Sequence, residues 1–244
     1  MTTQTAQTEY ALEVRDLYVG YYKDLNILQG VNMKARRGQL TAILGANGVG
    51  KSTLLKAIFG FLKPNAGDVF LNGQRINDVP TYQRITLGLA YIPQRMSIFR
   101  WMSVEDNILL GGWTFRHDKE RLQRKLEENF ERFPILREKR RQPAGELSGG
   151  QQRMVELART LMTDPQVLLV DEPTAGLAKL LKREVYDMLT ELRDREGKTI
   201  ILVDQEIRHA LRIADYVYIL DLGRNKTEGP TAEIVADLKK AFWI

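Results

Sequence analysis

The stretch QLTAILGANGVGKST, residues 39–53, runs from an apolar segment into glycines, then a lysine and two hydroxyls. Apolar residues without polar alternation mark a strand buried on both faces. The turn that follows fits G-x-x-x-x-G-K-[ST] at Gly45, Gly50, Lys51 and Ser52. Glycines let backbone N–H groups turn inward around phosphate oxygens, and a helix over about 52–60 adds the positive end of its dipole. Asn47 and Gly48 lie inside the turn and Thr53 follows it, so Gly45, Asn47, Gly48, Gly50, Lys51, Ser52 and Thr53 are the candidate phosphate contacts. In such a loop the lysine bridges β- and γ-phosphates and the hydroxyl ligates Mg²⁺, which makes ATP and Mg²⁺ the expected ligands of Lys51 and Ser52.

Further along, VLLVDE (167–172) is a second continuous apolar strand, and it ends in two acids. A strand ending in acids is also what an ordinary surface turn looks like. Beside a phosphate loop it reads as a site, because ligands of parallel sheets bind at the carboxyl ends of strands. Asp171 is then placed to hold Mg²⁺ through water, and Glu172 to act as general base for an attacking water. IILVDQE (200–206) repeats the form: an apolar strand running into Asp204, Gln205 and Glu206.

The rest of the chain alternates in the same way. LEVRDL (12–17), QLTAIL (39–44), DVFLNGQRI (68–76) with its Asn72–Gly73 hairpin signal, and LAYI (89–92) read as strands. VEDNILLGG (104–112), 118–133 and 149–163 read as helices from their apolar spacing, with Pro134 expected to break the second. Strands at 167–172, 199–203 and 217–220 then alternate with helices at about 179–195 and 206–213. That order implies a parallel sheet covered on both faces, an α/β fold. Composition agrees: hydrophobic residues are 43% and charged residues 27% of 244, as in an ordinary globular chain. There is no cysteine and His117 and His209 are the only histidines, which excludes thiol chemistry and argues against a histidine metal site. No apolar run approaches the roughly 18 residues that span a bilayer. MTTQTAQTEY (1–10) has no basic region leading into an apolar stretch, so no secretory leader is expected. The net charge is +5, but its densest run, Lys139–Arg140–Arg141, has no interleaved aromatics and reads as a solvated loop, so no nucleic-acid partner is expected.

ELSGGQQR (146–153) is the most discriminating stretch. Ser148 and two glycines open a helix and so form a second anion-binding helix start. With Gly45–Thr53, Gln94 in YIPQ, Ser148–Gln151 and Asp171–Glu172 in this order, the chain resembles the ATP-binding cassette (ABC) ATPase family over about residues 12–230. The resemblance implies a P-loop cassette over 9–240. Its RecA-like core would comprise about 9–94 and 165–240, with an N-terminal antiparallel β subdomain and an inserted α-helical subdomain at about 95–164. It implies a head-to-tail dimer in which Ser148, Gly149, Gly150 and Gln151 contact the ATP held by the partner's phosphate loop. It also implies an aromatic residue stacked on adenine, Tyr22 or alternatively Tyr21. Gln94 would meet Mg²⁺ and sense a membrane partner, and Arg100–Trp101–Met102 would help grip that partner. AGLA (175–178) occupies the loop that crosses to the other subunit and lacks that loop's common aspartate.

Most of the family carries a histidine against the γ-phosphate where this chain has Gln205, which can donate and accept hydrogen bonds but cannot carry a proton's charge. A polar residue other than histidine there resembles cassettes of importers for branched-chain and other hydrophobic amino acids. FGFLKPNAGDVFLNG (59–73) and KKAFWI (239–244) fit that subgroup loosely. SIFRWMSVEDNI (97–108) also resembles the cassette of lipopolysaccharide transport, which normally keeps the histidine. By resemblance the chain is therefore an ATPase on the cytoplasmic face of the inner membrane. It would be peripheral, paired with a second cassette and with permease subunits, and served indirectly by a periplasmic or extracellular binding protein. The alternatives are a soluble non-transport cassette, which would usually carry two cassettes or a long coiled-coil insertion, and a regulator that binds without hydrolysing, against which Glu172 argues. The cargo is not legible in a cassette, because selectivity lies in the other subunits.

Overall fold

The computed structural model describes residues 9–22 and 25–242, the last five of these by their helical backbone alone. Residues 1–8, where no leader was expected, and Trp243–Ile244 of KKAFWI lie outside the described residues. The strands are β1 Tyr10–Val19, β2 Leu28–Arg36, β3 Leu40–Leu44, β4 Ala66–Leu71, β5 Gln74–Arg75, β6 Leu89–Ile92, β7 Val167–Asp171, β8 Thr199–Val203, β9 Tyr216–Asp221 and β10 Arg224–Pro230. The helices are α1 Lys51–Phe59, α2 Thr81–Thr86, α3 Val104–Leu109, α4 Lys119–Arg132, α5 Pro134–Glu138, α6 Gly149–Leu161, α7 Lys179–Glu196, α8 Ile207–Ile213 and α9 Thr231–Phe242.

Among the described residues the strands form two sheets. The antiparallel one has the order β2-β1-β4-β5 and the larger one β10-β9-β3-β8-β7-β6. In the larger sheet every pairing from β9 to β6 is parallel, and only β10 returns antiparallel beside β9. The apolar strands split their side chains between two cores. Leu168 and Val170 of β7 and Ile200 and Leu202 of β8 face the helices α3, α4, α6 and α7. Val167, Leu169, Ile201 and Val203 face α1 and the antiparallel sheet. Burial on both faces is why these strands read as unbroken apolar runs, at about 1.5–3 kcal/mol for each large side chain removed from water.

The sequence expectations miss some elements. β2 carries Leu28, Val31, Met33 and Ala35 inward; apolar and polar residues alternate from Val31 to Arg36, but the period slips at Gly30, whose φ is 76°. Pro134 does break the helix, since α4 ends at Arg132, but a further helix follows it at once. It stands at the first position of α5, where its missing N–H costs nothing and its fixed φ suits a helix start. β10, α2 and α9 were also not anticipated. Asn72–Gly73 does form the β4–β5 turn, with φ of 53° and 81°.

The helical segment between β6 and β7 is tied to the sheet by a buried ion pair. Arg153 and Glu156, one turn apart on α6, are each 1% exposed and bond directly to one another. Arg153 also donates to the carbonyls of Pro93 and Gln94, both at 3.0 Å. The Glu156 carboxylate accepts from the Ser97 N–H at 2.9 Å and from its hydroxyl at 2.7 Å. Removing one partner of such a pair strands the other charge in the interior. Glu156→Ala should therefore cost about 3–5 kcal/mol, lowering Tm by roughly 10 °C in a chain of this size. Thermal unfolding followed by circular dichroism checks this, and an unchanged Tm would mean that the pair is not the tie.

Candidate functional site

Strand order brings the functional segments together. β3, β8, β7 and β6 are neighbours and run parallel, so the phosphate loop after β3, Gln205 after β8, Glu172 after β7 and Gln94 after β6 emerge from one edge. There they surround a cavity of about 350 Å³, lined by Asn47, Gly48, Gly50, Lys51, Ser52 and Thr53 together with Gln94, Glu172, Gln205, Tyr21 and Ile27.

The loop holds a conformation that glycine alone accepts. Gly45 has φ 150°, and a Cβ there would lie 2.4 Å from the Leu220 carbonyl oxygen. Gly50 has φ 106°, and its Cβ would lie 2.6 Å from a methyl of Leu28. The Lys51 ammonium donates to the Gly45 and Ala46 carbonyls, both at 2.9 Å. Burial pulls the Lys51 pKa down, and the carboxylates of Glu172, Asp171 and Asp204 oppose that pull.

Facing the loop, the Ser52 hydroxyl donates to one Asp171 oxygen at 2.8 Å, and the Tyr91 hydroxyl donates to the other at 3.0 Å. A hydroxyl and a carboxylate side by side are hard oxygen donors, a set that fits Mg²⁺ sharing its remaining shell with phosphate and water. Glu172 takes a left-handed φ of 42°, a conformation that costs a non-glycine residue about 1–3 kcal/mol. Its N–H is pinned to the Val203 carbonyl at 2.8 Å. One carboxylate oxygen, Oε2, accepts from both Gln94 Nε2 and Gln205 Nε2, each at 2.6 Å. Two neutral amides thus hold one oxygen of the acid at the mouth of the phosphate loop.

The remaining sequence candidates fall elsewhere. Ser148, Gly149, Gly150 and Gln151 do not line this cavity. They open α6 in a reciprocal cap, with Gln151 N–H donating to Ser148 Oγ and Ser148 N–H to Gln151 Oε1, both at 3.3 Å. Their glycines lie against the crossing loop and α7: a Cβ on Gly149 would meet Leu177 at 3.1 Å, and one on Gly150 would meet Leu181 at 2.8 Å. Of the two tyrosines, Tyr21 lines the cavity and its hydroxyl accepts from Lys56 at 3.3 Å, whereas Tyr22 is 75% exposed. Trp101 is 96% exposed and so takes no part in the core of the helical segment. Sequence reasoning assigned nothing to Tyr91, to the Arg153–Glu156 pair or to the Asp204 carboxylate, whose surroundings only the fold assembles.

The profile of the family described as "ABC transporter" matches residues 28–175. A protein of Archaeoglobus fulgidus, named a probable branched-chain amino acid transport ATP-binding protein LivF, is 39% identical, covering 88% of this chain and 90% of its own. The Pseudomonas aeruginosa protein BraG, named a high-affinity branched-chain amino acid transport ATP-binding protein, is 36% identical over 84% of this chain and 86% of its own. An Acidithiobacillus ferridurans protein named as the lipopolysaccharide export system ATP-binding protein LptB is 33% identical over 93% of this chain and 92% of its own. Among solved structures, cbiO1 of Clostridium perfringens, described as part of the ABC transporter complex cbiONQ, superposes with a TM-score of 0.86 at 30% identity, covering 96% of this chain and 93% of its own. Gly45→Ala should abolish nucleotide binding while leaving the circular dichroism spectrum intact, because the added methyl meets backbone rather than a movable side chain. Nucleotide titration by fluorescence checks it, and retained affinity would show that the loop can shift.

Proposed function

The chain is an ATP-hydrolysing member of the ABC transporter family, and on that footing we propose that it powers import of branched-chain or related hydrophobic amino acids through separate membrane subunits. The observation that carries the catalytic part is the Glu172 carboxylate oxygen held between Gln94 and Gln205 at 2.6 Å. Glu172 is the general base. Gln94 and Gln205 fix its orientation, and Gln205 also reaches the γ-phosphate and the attacking water as a neutral donor and acceptor. Lys51 and the glycine-rich backbone hold the phosphates and stabilise charge as the terminal one departs. Ser52, Asp171 and Gln94 would hold Mg²⁺, which when bound neutralises phosphate charge. Tyr22, with its ring open to solvent, or alternatively Tyr21, which lines the cavity, stacks on adenine. Ser148–Gln151 present their helix start to the ATP of a second cassette.

No helix among the described residues is long and apolar enough to cross a membrane, and in this reading separate membrane subunits form the transport path. Two features suit their docking. One is a groove of about 700 Å³ lined by Tyr82, Ile85, Tyr91, Trp113, Arg116 and Arg159, where Tyr82 is 68% and Trp113 63% exposed. The other is Trp101 with Phe99, exposed just beyond Gln94. Large aromatics beside arginines, left uncovered, are the composition of a protein-binding hot spot. We place this surface toward the cytoplasmic face of the membrane. Gln205 and the relatives LivF and BraG support amino-acid import. The LptB relative and SIFRWMSVEDNI support a lipopolysaccharide system, and the missing histidine weighs against it.

Glu172→Gln should leave ATP binding intact and lower turnover by about a hundredfold or more, the usual contribution of a general base. Phosphate release and ATP affinity, measured side by side, test the assignment; wild-type turnover in this variant would remove Glu172 from the mechanism. Trp113→Ala should reduce copurification with the membrane subunits while ATP affinity of the isolated subunit stays as it was. Undiminished copurification would place the docking surface elsewhere.

A further inference from the structure

Behind Gln205 lies a buried polar chain whose members do not line the nucleotide cavity. Asp204 is 2% exposed, and its Oδ1 accepts from the N–H groups of Gln205 and Glu206 at 2.7 and 2.9 Å, closing a turn on its own backbone. Its Oδ2 accepts from the Tyr186 hydroxyl at 2.8 Å. That hydroxyl has one hydrogen and spends it on the carboxylate, so Thr174, 3.1 Å away and 1% exposed, must donate to it. Tyr186 belongs to α7 and is held from its other side by stacking on His209 of α8, ring centres 5.2 Å apart. Burial raises the Asp204 pKa, opposed by these hydrogen bonds.

We propose that Tyr186 is a positioning residue for hydrolysis: through Asp204 its hydroxyl sets the turn that aims the Gln205 amide at Glu172. Gln205 is itself an exposed side chain on a turn between β8 and α8; its amide meets Glu172 at the tip, and the direction from which it arrives is set by its backbone. The turn fixes it. Asp204 supplies that turn, Tyr186 holds the carboxylate through Oδ2, and Thr174 holds the Tyr186 hydroxyl. Thr174 lies two residues after Glu172 and just before the crossing loop at 175–178, so the same chain ties Gln205 to the segment that carries the base. This inference rests on the role given above to Gln205.

The test is a double-mutant cycle in the full chain, with kcat and KM for ATP measured on the wild type, Tyr186→Phe, Gln205→Ala and the double variant. Tyr186→Phe should lower kcat on the order of tenfold, as misplacing a catalytic group does, with KM for ATP unchanged. The double variant should be no slower than Gln205→Ala alone, because the hydroxyl acts only through that amide. A role in stability alone would instead lower activity equally in both backgrounds. If Tyr186→Phe does not fold, Asp204→Ala takes its place in the same cycle, and Asp204→Asn should restore most of the activity, since its carbonyl can still accept from the turn while its amide donates to Tyr186. Losses that multiply in the double variant, or a wild-type kcat for Tyr186→Phe, would overturn the positioning role. A wild-type kcat for Gln205→Ala would overturn the role of Gln205 itself, and this inference with it.

Discussion

A parallel strand buried on both faces can carry charge only at its end. β7 and β8 are fully buried along their apolar length, and an unpaired polar side chain within them would cost several kcal/mol. The polar groups are therefore pushed to the carboxyl ends, and because β3, β8, β7 and β6 are neighbours, those ends form one short row. Asp171 and Glu172 differ by a single residue, yet the left-handed turn at Glu172 sends the two carboxylates to different tasks: one toward Ser52 and Tyr91, the other toward two glutamine amides.

The same row links the cavity to the helical segment. Gln94 touches Glu172 with its side chain, while its backbone carbonyl is held by Arg153 of α6. Arg153 sits in the first turns of the helix that Ser148 opens. A shift of α6 relative to the sheet would thus be felt at the Gln94 carbonyl, one residue's length from the acid. The buried Arg153–Glu156 pair makes this link stiff, since neither charge can leave its partner without facing the interior alone.

Much of this was legible in the sequence where the pattern was local. GANGVGKST announces itself because glycine, lysine and hydroxyl must follow one another for the backbone to wrap phosphate. VLLVDE and TIILV announce themselves because burial on both faces leaves no polar alternation. β2 was legible in part, since Val31 to Arg36 alternate apolar and polar as a strand half open to solvent does, and it escapes notice because Gly30 breaks that alternation near its start. Pro134 ends α4 as its lack of an N–H requires, but that it also opens α5 was not legible, because proline stops a helix and starts one with equal ease. Tyr186, Thr174 and Asp204 lie far apart in sequence or carry no motif; each is an ordinary residue until the sheet and α7 bring them into contact.

In the role proposed for Gln205, an amide in place of an imidazole also changes what the site must supply. An imidazolium could offer a charge to the γ-phosphate; an amide offers only a dipole, whose value depends on direction. A site built on an amide therefore has more need of a fixed turn than one built on a cation, because misdirecting a dipole loses its effect sooner than displacing a charge. Asp204 directly before Gln205, buried and held by Tyr186, meets that need. The carboxylate also opposes, with Glu172 and Asp171, the lowering of the Lys51 pKa by burial, so the group that orients the amide contributes to the charge balance of the phosphate loop.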